Sequence, residues 1–357
     1  MKILDRYILK KFLTAFFFVV IIMVTIICII NLTEMNDKFI KHNLGYKEIG
    51  KYYLYYSPYI ANLISPIMVF IATVFITSKM ASHTEIVAIL SSGVSFKRMM
   101  VPYIIGSSLL AILTFFLIGW VIPDSNKFRV AFDLQYLKGP YYFEGRNVHY
   151  KIGPDIYAYM ETYSSSENKG YRFTLERIEG NKLTEKLKAD YIVWNPEKGK
   201  WDVRYYETMR IEGLKEVYTQ GTQIDTLLNL YPKDFGSKHL LHETMTLSEL
   251  DNFIKEQKER GEQKLEVFQI QKYTIFTYPF AIIILTIIGL IVSSKKTRGG
   301  AGFQIALGFL IAFIYIIFTV MSRSIAQAGD MNPIVAVWMP NIIFAAVGAV
   351  LYHTVPR

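Results

Sequence analysis

Along the chain, six stretches lack Asp, Glu, Lys, Arg and His: 12–31, 54–77, 99–122, 273–294, 303–322 and 331–351. Each holds 20 to 24 residues. A helix of about 20 apolar residues crosses a hydrocarbon core of roughly 30 Å. The pattern therefore predicts six transmembrane helices in two groups of three. The first stretch is too long for a signal-peptide core, and no small-residue cleavage site follows it, so it is expected to remain as a span.

Between the groups the pattern changes. Over 123–245, short runs rich in Tyr, Val and Ile alternate with polar residues and end at turn residues, a strand signature. "NVHYKI" and "DIYAYMETY" flank Gly-Pro, and "KADYIVWNPEKGKWDVRYYETMRIEG" predicts a hairpin looped at Asn195 to Gly199. Eight or more short strands are expected, in a sandwich or jelly roll. Such a sheet can accept a strand at its edge or hold an apolar ligand. Residues 246–261 then predict an amphipathic helix, with a Thr246/Glu249 capping box, an apolar face of Leu247, Leu250, Phe253 and Ile254, and Gly261 as its stop. Lying on the outer membrane surface and covering the sheet are both open to it.

The stretch between spans two and three, "ASHTEIVAILSSGVSFKRMM", has start and stop signals of its own. Ser82 as N-cap with Glu85 three residues on forms a capping box; Ile86, Ile89 and Leu90 share a face; Gly93 takes the left-handed turn. A stiff helix over 82–92, about 15 Å long, is expected. It suits a strut that carries force into the membrane. Glu85 either caps this helix or also meets a partner's cation, and one carboxylate can do both.

Charge sets the orientation. Lys2, Arg6, Lys10 and Lys11 precede span one; Lys79, Lys97 and Arg98 follow span two; Lys295, Lys296 and Arg298 follow span four. The positive-inside rule puts these ends, and both termini, in the cytoplasm and 123–272 outside. Lys38, Lys41, Lys47 and Lys51, in the expected loop 32–53, dissent. The formal charge of +9 is partly this asymmetry. No basic soluble block with stacking aromatics points to nucleic acid. The single cysteine, Cys28, cannot form an intrachain disulfide and is a small apolar packing residue. Pro66 and Pro279 are expected to kink spans two and four, and Gly289 and Gly308 to allow close helix contact.

Several chemistries lack their motifs. There is no G-x-x-x-x-G-K-[ST] phosphate loop, no Gly-x-Ser-x-Gly elbow and no Cys/His cluster with metal-ligand spacing. "HETMT" at 242–246 lacks the second His of a zinc protease. No cofactor or metal is expected. Spans without ionisable groups disfavour ion-coupled transport. A lipid-acting enzyme would have to use Glu144, His149, Asp155 or His239, which no spacing joins into a site.

"LDRYILKKF" (4–12), "SHTEIVAILSSGVS" (82–95), "WVIPDSN" (120–126) and "NPIVAVWMPNIIFA" (332–345) resemble the lipopolysaccharide export permease family, of the LptF/LptG (YjgP/YjgQ) type. The resemblance covers essentially the whole chain; "LDRY" and "SGVS" lean toward LptG. It implies a bacterial inner-membrane subunit: 1–122 as the first transmembrane half, 123–245 as a periplasmic β jelly roll, and 262–357 as the second half. It implies a second homologous permease, a cytoplasmic P-loop ATPase dimer as the energy source, and a periplasmic bridge protein. Together they would extract lipopolysaccharide, with spans one and five as lateral gates. Helix 82–92 becomes the coupling helix, with Ser82, Glu85, Ile86, Ile89, Leu90 and Gly93 meeting the ATPase. Lys38 and Lys41, with Arg129 and Arg323, become the cations for lipopolysaccharide. Asn31, Asp37 and Asp133 depart from the family pattern at positions often basic. A scaffold that passes ATPase strokes to a periplasmic partner, moving no lipid, is the alternative.

Overall fold

The computed structural model describes residues 3–137, 144–180, 182–213, 215–232, 240–260, 265–294 and 300–353. The chain divides into two compact units. One holds Met1–Leu137, Glu243–Leu250 and Glu266–Arg357; the other holds Lys138–His242 and Asp251–Leu265. Lys2, His239, Gly261, Lys295, Lys296 and Arg298 lie outside the described residues.

The first unit is helical, with six helices long and apolar enough to cross a membrane. They outrun the charge-free windows, because those windows mark only what sits in hydrocarbon. Helix α1 runs Ile3–Lys41 and α2 runs Tyr46–Ser82. Lys, Arg, Glu, Leu and Met are good helix formers, so the polar flanks of span one stay helical. The expected loop 32–53 is therefore two helix ends and a short link. At that link the Glu48 carboxylate accepts the Gly45 N–H at 3.0 Å. A short helix, α3 (Glu85–Ser91), precedes α4 (Phe96–Phe116). Span three continues through a π turn, Leu117–Val121, into α5 (Ile122–Phe132) and a second π turn, Asp133–Leu137. The first π turn sits just before Pro123, whose missing N–H interrupts the regular ladder. The helical unit thus reaches Leu137, beyond the boundary expected at 122.

Helix packing in this unit depends on small residues and on orphaned carbonyls. A Cβ on Gly106 of α4 would lie 2.7 Å from Phe12 Cδ1 of α1. These helices approach only because that atom is absent. Gly106→Leu is expected to cost about 1–3 kcal/mol by overpacking, read as a lower melting temperature of the purified protein. Gly289 on α7 (Glu266–Ser293) and Gly308 on α8 (Gly300–Gln327) make the expected close contacts; their Cβ atoms would come 3.2 Å from Phe70 and Val74 of α2. Pro66, inside α2, removes the N–H that Asn62 C=O would accept. The Tyr278 hydroxyl donates to that carbonyl at 3.2 Å and to Leu63 C=O at 2.7 Å. On α9 (Pro333–Tyr352), buried Asn341 accepts from the Tyr315 hydroxyl at 3.0 Å and donates to Thr277 C=O at 2.9 Å.

The second unit is built on a β-sheet and also holds most of one helix. Its six described strands are β1 (Glu144–Gly153), β2 (Ile156–Ser164), β3 (Lys169–Glu179), β4 (Lys182–Asn195), β5 (Lys200–Glu212) and β6 (Lys215–Thr226). They form one antiparallel sheet in sequential order β1 to β6. Among the described residues, six longer strands stand where eight or more short ones were expected. Charged residues that look like strand breaks pair across the sheet instead, as Glu185 does with Arg210 at 3.0 Å and Lys186 with Glu176 at 2.5 Å. The predicted hairpin is β4–β5. Asn195 Oδ1 accepts the N–H groups of Glu197 and Lys198, and Gly199 takes φ +61°. Met160, Phe173, Ile192 and Trp201 are the buried core, and Trp201 Nε1–H donates to Leu230 C=O at 2.6 Å.

The amphipathic helix is α6, Leu247–Glu259. Its capping box forms. Thr246 N–H donates to Glu249 Oε2 at 2.8 Å, and Glu249 N–H reaches Thr246 Oγ1 at 3.3 Å. The Thr246 backbone and hydroxyl donors hold the Glu249 carboxyl below its usual pKa. Leu250 and Ile254 are buried. Past the helix, Arg260 C=O accepts Lys151 N–H from β1 at 3.0 Å, which ties this end to the sheet.

Candidate functional site

The segment between α2 and α4 differs from its expected form at its start. Ser82 is not a cap: it ends α2, and its hydroxyl donates to Lys79 C=O at 2.8 Å. Thr84 precedes α3 instead, with φ +63°. A left-handed β-branched residue costs on the order of 1–3 kcal/mol and is held only by its surroundings. Glu85 is the first residue of α3, so its carboxylate has no capping task. It reaches α1, accepting from the Tyr7 hydroxyl at 3.0 Å and from Lys11 Nζ at 3.3 Å. Lys11 Nζ also lies 4.2 Å from the centre of the Tyr7 ring.

The stop is as expected: Gly93 has φ +83°. Ser95 then caps α4, its hydroxyl oxygen accepting the Arg98 N–H at 3.4 Å. Arg98 Nη2 donates to buried Asp5 on α1 at 2.6 Å. Helix α1 therefore grips the segment at both ends, through Tyr7 and Lys11 at Glu85 and through Asp5 at Arg98. Ile86 is buried, and Ile89 and Leu90 pack beside it against the core around Phe12, Phe96 and Met99. Of the residues expected to meet the ATPase, Ile86 is turned inward, Glu85, Ile89 and Leu90 are half-buried, and Ser82 and Gly93 are exposed. Thr84, Val87, Ala88 and Ser91 are exposed along α3, as are Ser82, His83, Ser92, Gly93 and Ser95 around it.

At the far ends of these helices, Lys38 Nζ donates to Leu137 C=O at 2.7 Å, and Lys41 is exposed. Arg323 is half-buried, and its Nε has no hydrogen-bond partner among the described residues. Arg129 is elsewhere in character. It is buried, donates from Nε to Asn126 Oδ1 at 3.0 Å, pairs with Asp133 at 3.3 Å and with Glu243, and lies 4.0 Å over the Tyr59 ring. Its guanidinium is engaged inside the helical unit rather than open to a lipid headgroup. Asp133 accepts the Tyr52 hydroxyl at 3.0 Å as well.

Asp5 and Tyr7 join the site without having been singled out from sequence, and Lys11 and Arg98, read there only as orientation charges, join it too. Asp5 was legible: an acid three residues before Ile8 and seven before Phe12 sits on a buried helical stripe. Glu243 was not, since only the fold brings it to Arg129. Among the described residues no cluster of His, Cys, Asp and Glu could hold a metal. The His149 ring lies 4.6 Å from that of Tyr159 at a 45° tilt, Asp155 sits in the β1–β2 turn, and nothing among the described residues joins them into a catalytic arrangement. A family model described as "Lipopolysaccharide export system permease LptF/LptG" matches residues 6–354. No curated protein matches the chain.

Proposed function

Because the chain belongs to the lipopolysaccharide export permease family LptF/LptG, we propose that it is one permease of an ATP-driven exporter that lifts lipopolysaccharide out of the inner membrane. Its partners are a second permease, a dimeric cytoplasmic P-loop ATPase and a periplasmic bridge protein. Arg6, Lys10, Lys11, Lys79, Lys97 and Arg98 face the cytoplasm by the positive-inside rule, and the sheet faces the periplasm.

The observation that carries this is the grip of α1 on the segment around α3. An ATPase seated on Thr84, Val87, Ala88 and Ser91 pushes a segment tied to α1 at Glu85 and at Arg98. Helix α1 is unbroken for 39 residues, about 58 Å at 1.5 Å per residue. A stroke at Glu85 thus moves the end that carries Lys38 and Lys41. The span windows of α1 and α8 are 11% and 22% buried, against 56% for α2 and α7. Helices so little covered by their own chain suit a gate shared with a second permease and opened to lipid.

Purification of the tagged chain in mild detergent tests the assembly: a P-loop ATPase and a second six-span permease are expected with it. Recovery of the chain alone from membranes that contain the ATPase rejects it. Lys38→Glu with Lys41→Glu tests the cargo. Each cation beside a phosphate is worth about 1 kcal/mol, so crosslinking to lipopolysaccharide is expected to fall by roughly ten-fold or more. Unchanged crosslinking, in a variant that still drives ATPase turnover, favours the scaffold that moves no lipid. Lys41→Glu alone keeps the Lys38 bond to Leu137 and separates headgroup binding from helix packing.

A further inference from the structure

A cavity of about 870 Å³ opens beside the coupling segment, between α1, α2 and the start of α8. Its walls include Phe18 and Val19 of α1, Ile71 and Phe75 of α2, and Ile305 and Phe309 of α8. One end is cationic: Lys10 and Lys11 come from α1, and Lys79 and His83 from the end of α2. Among the described residues Glu85 is the one acid in the lining, and it is already bonded to Lys11 and Tyr7. Among the described residues the side chains of Lys10, Lys79 and His83 meet no acid. Ile71 lies eight residues from Lys79, and Val19 eight from Lys11. The apolar walls thus run about 12 Å from the charged end along each helix.

A small-molecule site is typically ~300–1,000 Å³, mostly apolar, with a few placed polar groups. Here the polar groups sit at a helix end and the apolar walls run toward the hydrocarbon. Basic pockets between transmembrane helices on the cytoplasmic side suit anionic headgroups. We propose that this cavity binds an anionic phospholipid, with its phosphate at Lys10, Lys79 and His83 and an acyl chain along Phe18, Ile71 and Phe309. Only the choice of leaflet rests on the orientation proposed above. A second copy of the chain fits less well, because it would bring the same excess of lysine to the same end. A phosphate at this place competes with Glu85 for Lys11, so the lipid bears on the contact through which α1 holds the coupling segment.

The test is photolabelling of the purified complex in nanodiscs. One preparation carries phosphatidylglycerol with a photoactivatable acyl chain, the other the matching phosphatidylcholine. Phosphatidylglycerol is expected to label peptides holding Phe18–Val19 and Ile71–Phe75 roughly 25-fold more than phosphatidylcholine, since each of the two lysines near an anionic headgroup is worth about five-fold. K10Q with K79Q should bring that labelling down to the phosphatidylcholine level, while K47Q, at the opposite helix ends, leaves it unchanged. Ala15→Trp, which fills the apolar wall, should lower labelling with all lysines in place. Equal labelling by both lipids, untouched by K10Q with K79Q, means ordinary boundary lipid and overturns the proposal. So does crosslinking of these peptides to a partner permease in place of lipid. The assay needs neither ATPase turnover nor transport, so its failure leaves the exporter assignment standing, and failure of the exporter assignment leaves the binding result standing.

Discussion

Glu85→Lys is expected to give a folded, membrane-inserted protein that no longer couples ATP hydrolysis to export. The fold should survive because the side chains of Lys11 and Glu85 are 34% and 29% exposed, and ion pairs in such places contribute about 0–1 kcal/mol. The same weakness frees the carboxylate to exchange Lys11 and Tyr7 for a cation on the ATPase. An interfacial charge pair, once seated and desolvated, costs about 2–5 kcal/mol to break, which is roughly thirty-fold or more in coupling. Transport in reconstituted vesicles should therefore fall much further than the melting temperature does. Glu85→Lys combined with Lys11→Glu decides which contact matters. This exchange rebuilds the pair within the chain but presents the wrong charge to a partner. No rescue is expected. Rescue of transport to the unmodified level would place the whole effect of Glu85 inside the chain and remove its role at the ATPase.

The spans and the sheet were legible because burial in lipid and alternation in a strand each impose a period on the sequence. The start of α3 was not. Ser82 and Glu85 have the spacing of a capping box, but a capping box needs its serine in an extended conformation before the helix, and α2 runs on through Ser82. The turn falls at Thr84 instead. The inward face of Ile86, Ile89 and Leu90 was correctly grouped by period, yet period does not say whether an apolar face meets its own core or a partner. The reach of Glu85 to Tyr7 and Lys11, 78 and 74 residues away, is set by how α1 packs on α2, and no local pattern carries that. Arg129 shows the same limit. Its neighbour Asp133, one turn on, was visible as a departure from a basic pattern, but the third member of the group, Glu243, is 114 residues distant.

Arg129→Met should be among the most destabilising single changes in the helical unit. The Arg129 and Asp133 side chains are 5% and 7% exposed, and Glu243 is 17% exposed. Removing the cation leaves two carboxylates in a place with little water, and breaking a buried ion pair from one side costs about 3–5 kcal/mol. The place in the fold raises the consequence. The chain leaves the helical unit after Leu137 and returns to it at Glu243, so Arg129 ties the departing strand of chain to the returning one. Asn126 repeats the tie, donating from Nδ2 to Glu243 C=O at 2.9 Å. If the lost stability comes from uncompensated charge, Arg129→Met with Asp133→Asn and Glu243→Gln should recover most of it in thermal unfolding of the purified protein, since neutral amides cost far less to bury than carboxylates. If the triple variant stays as unstable as the single one, the guanidinium acts through its packing over Tyr59 and its bond to Asn126, and charge is the smaller part. A lipopolysaccharide contact at Arg129 predicts a third pattern, with normal stability in the single variant and weakened crosslinking to the lipid. The burial of the guanidinium argues for the first pattern, because a side chain held by two carboxylates, an amide and an aromatic face has no free donor edge to offer a phosphate without first breaking the group that keeps both chain crossings in place.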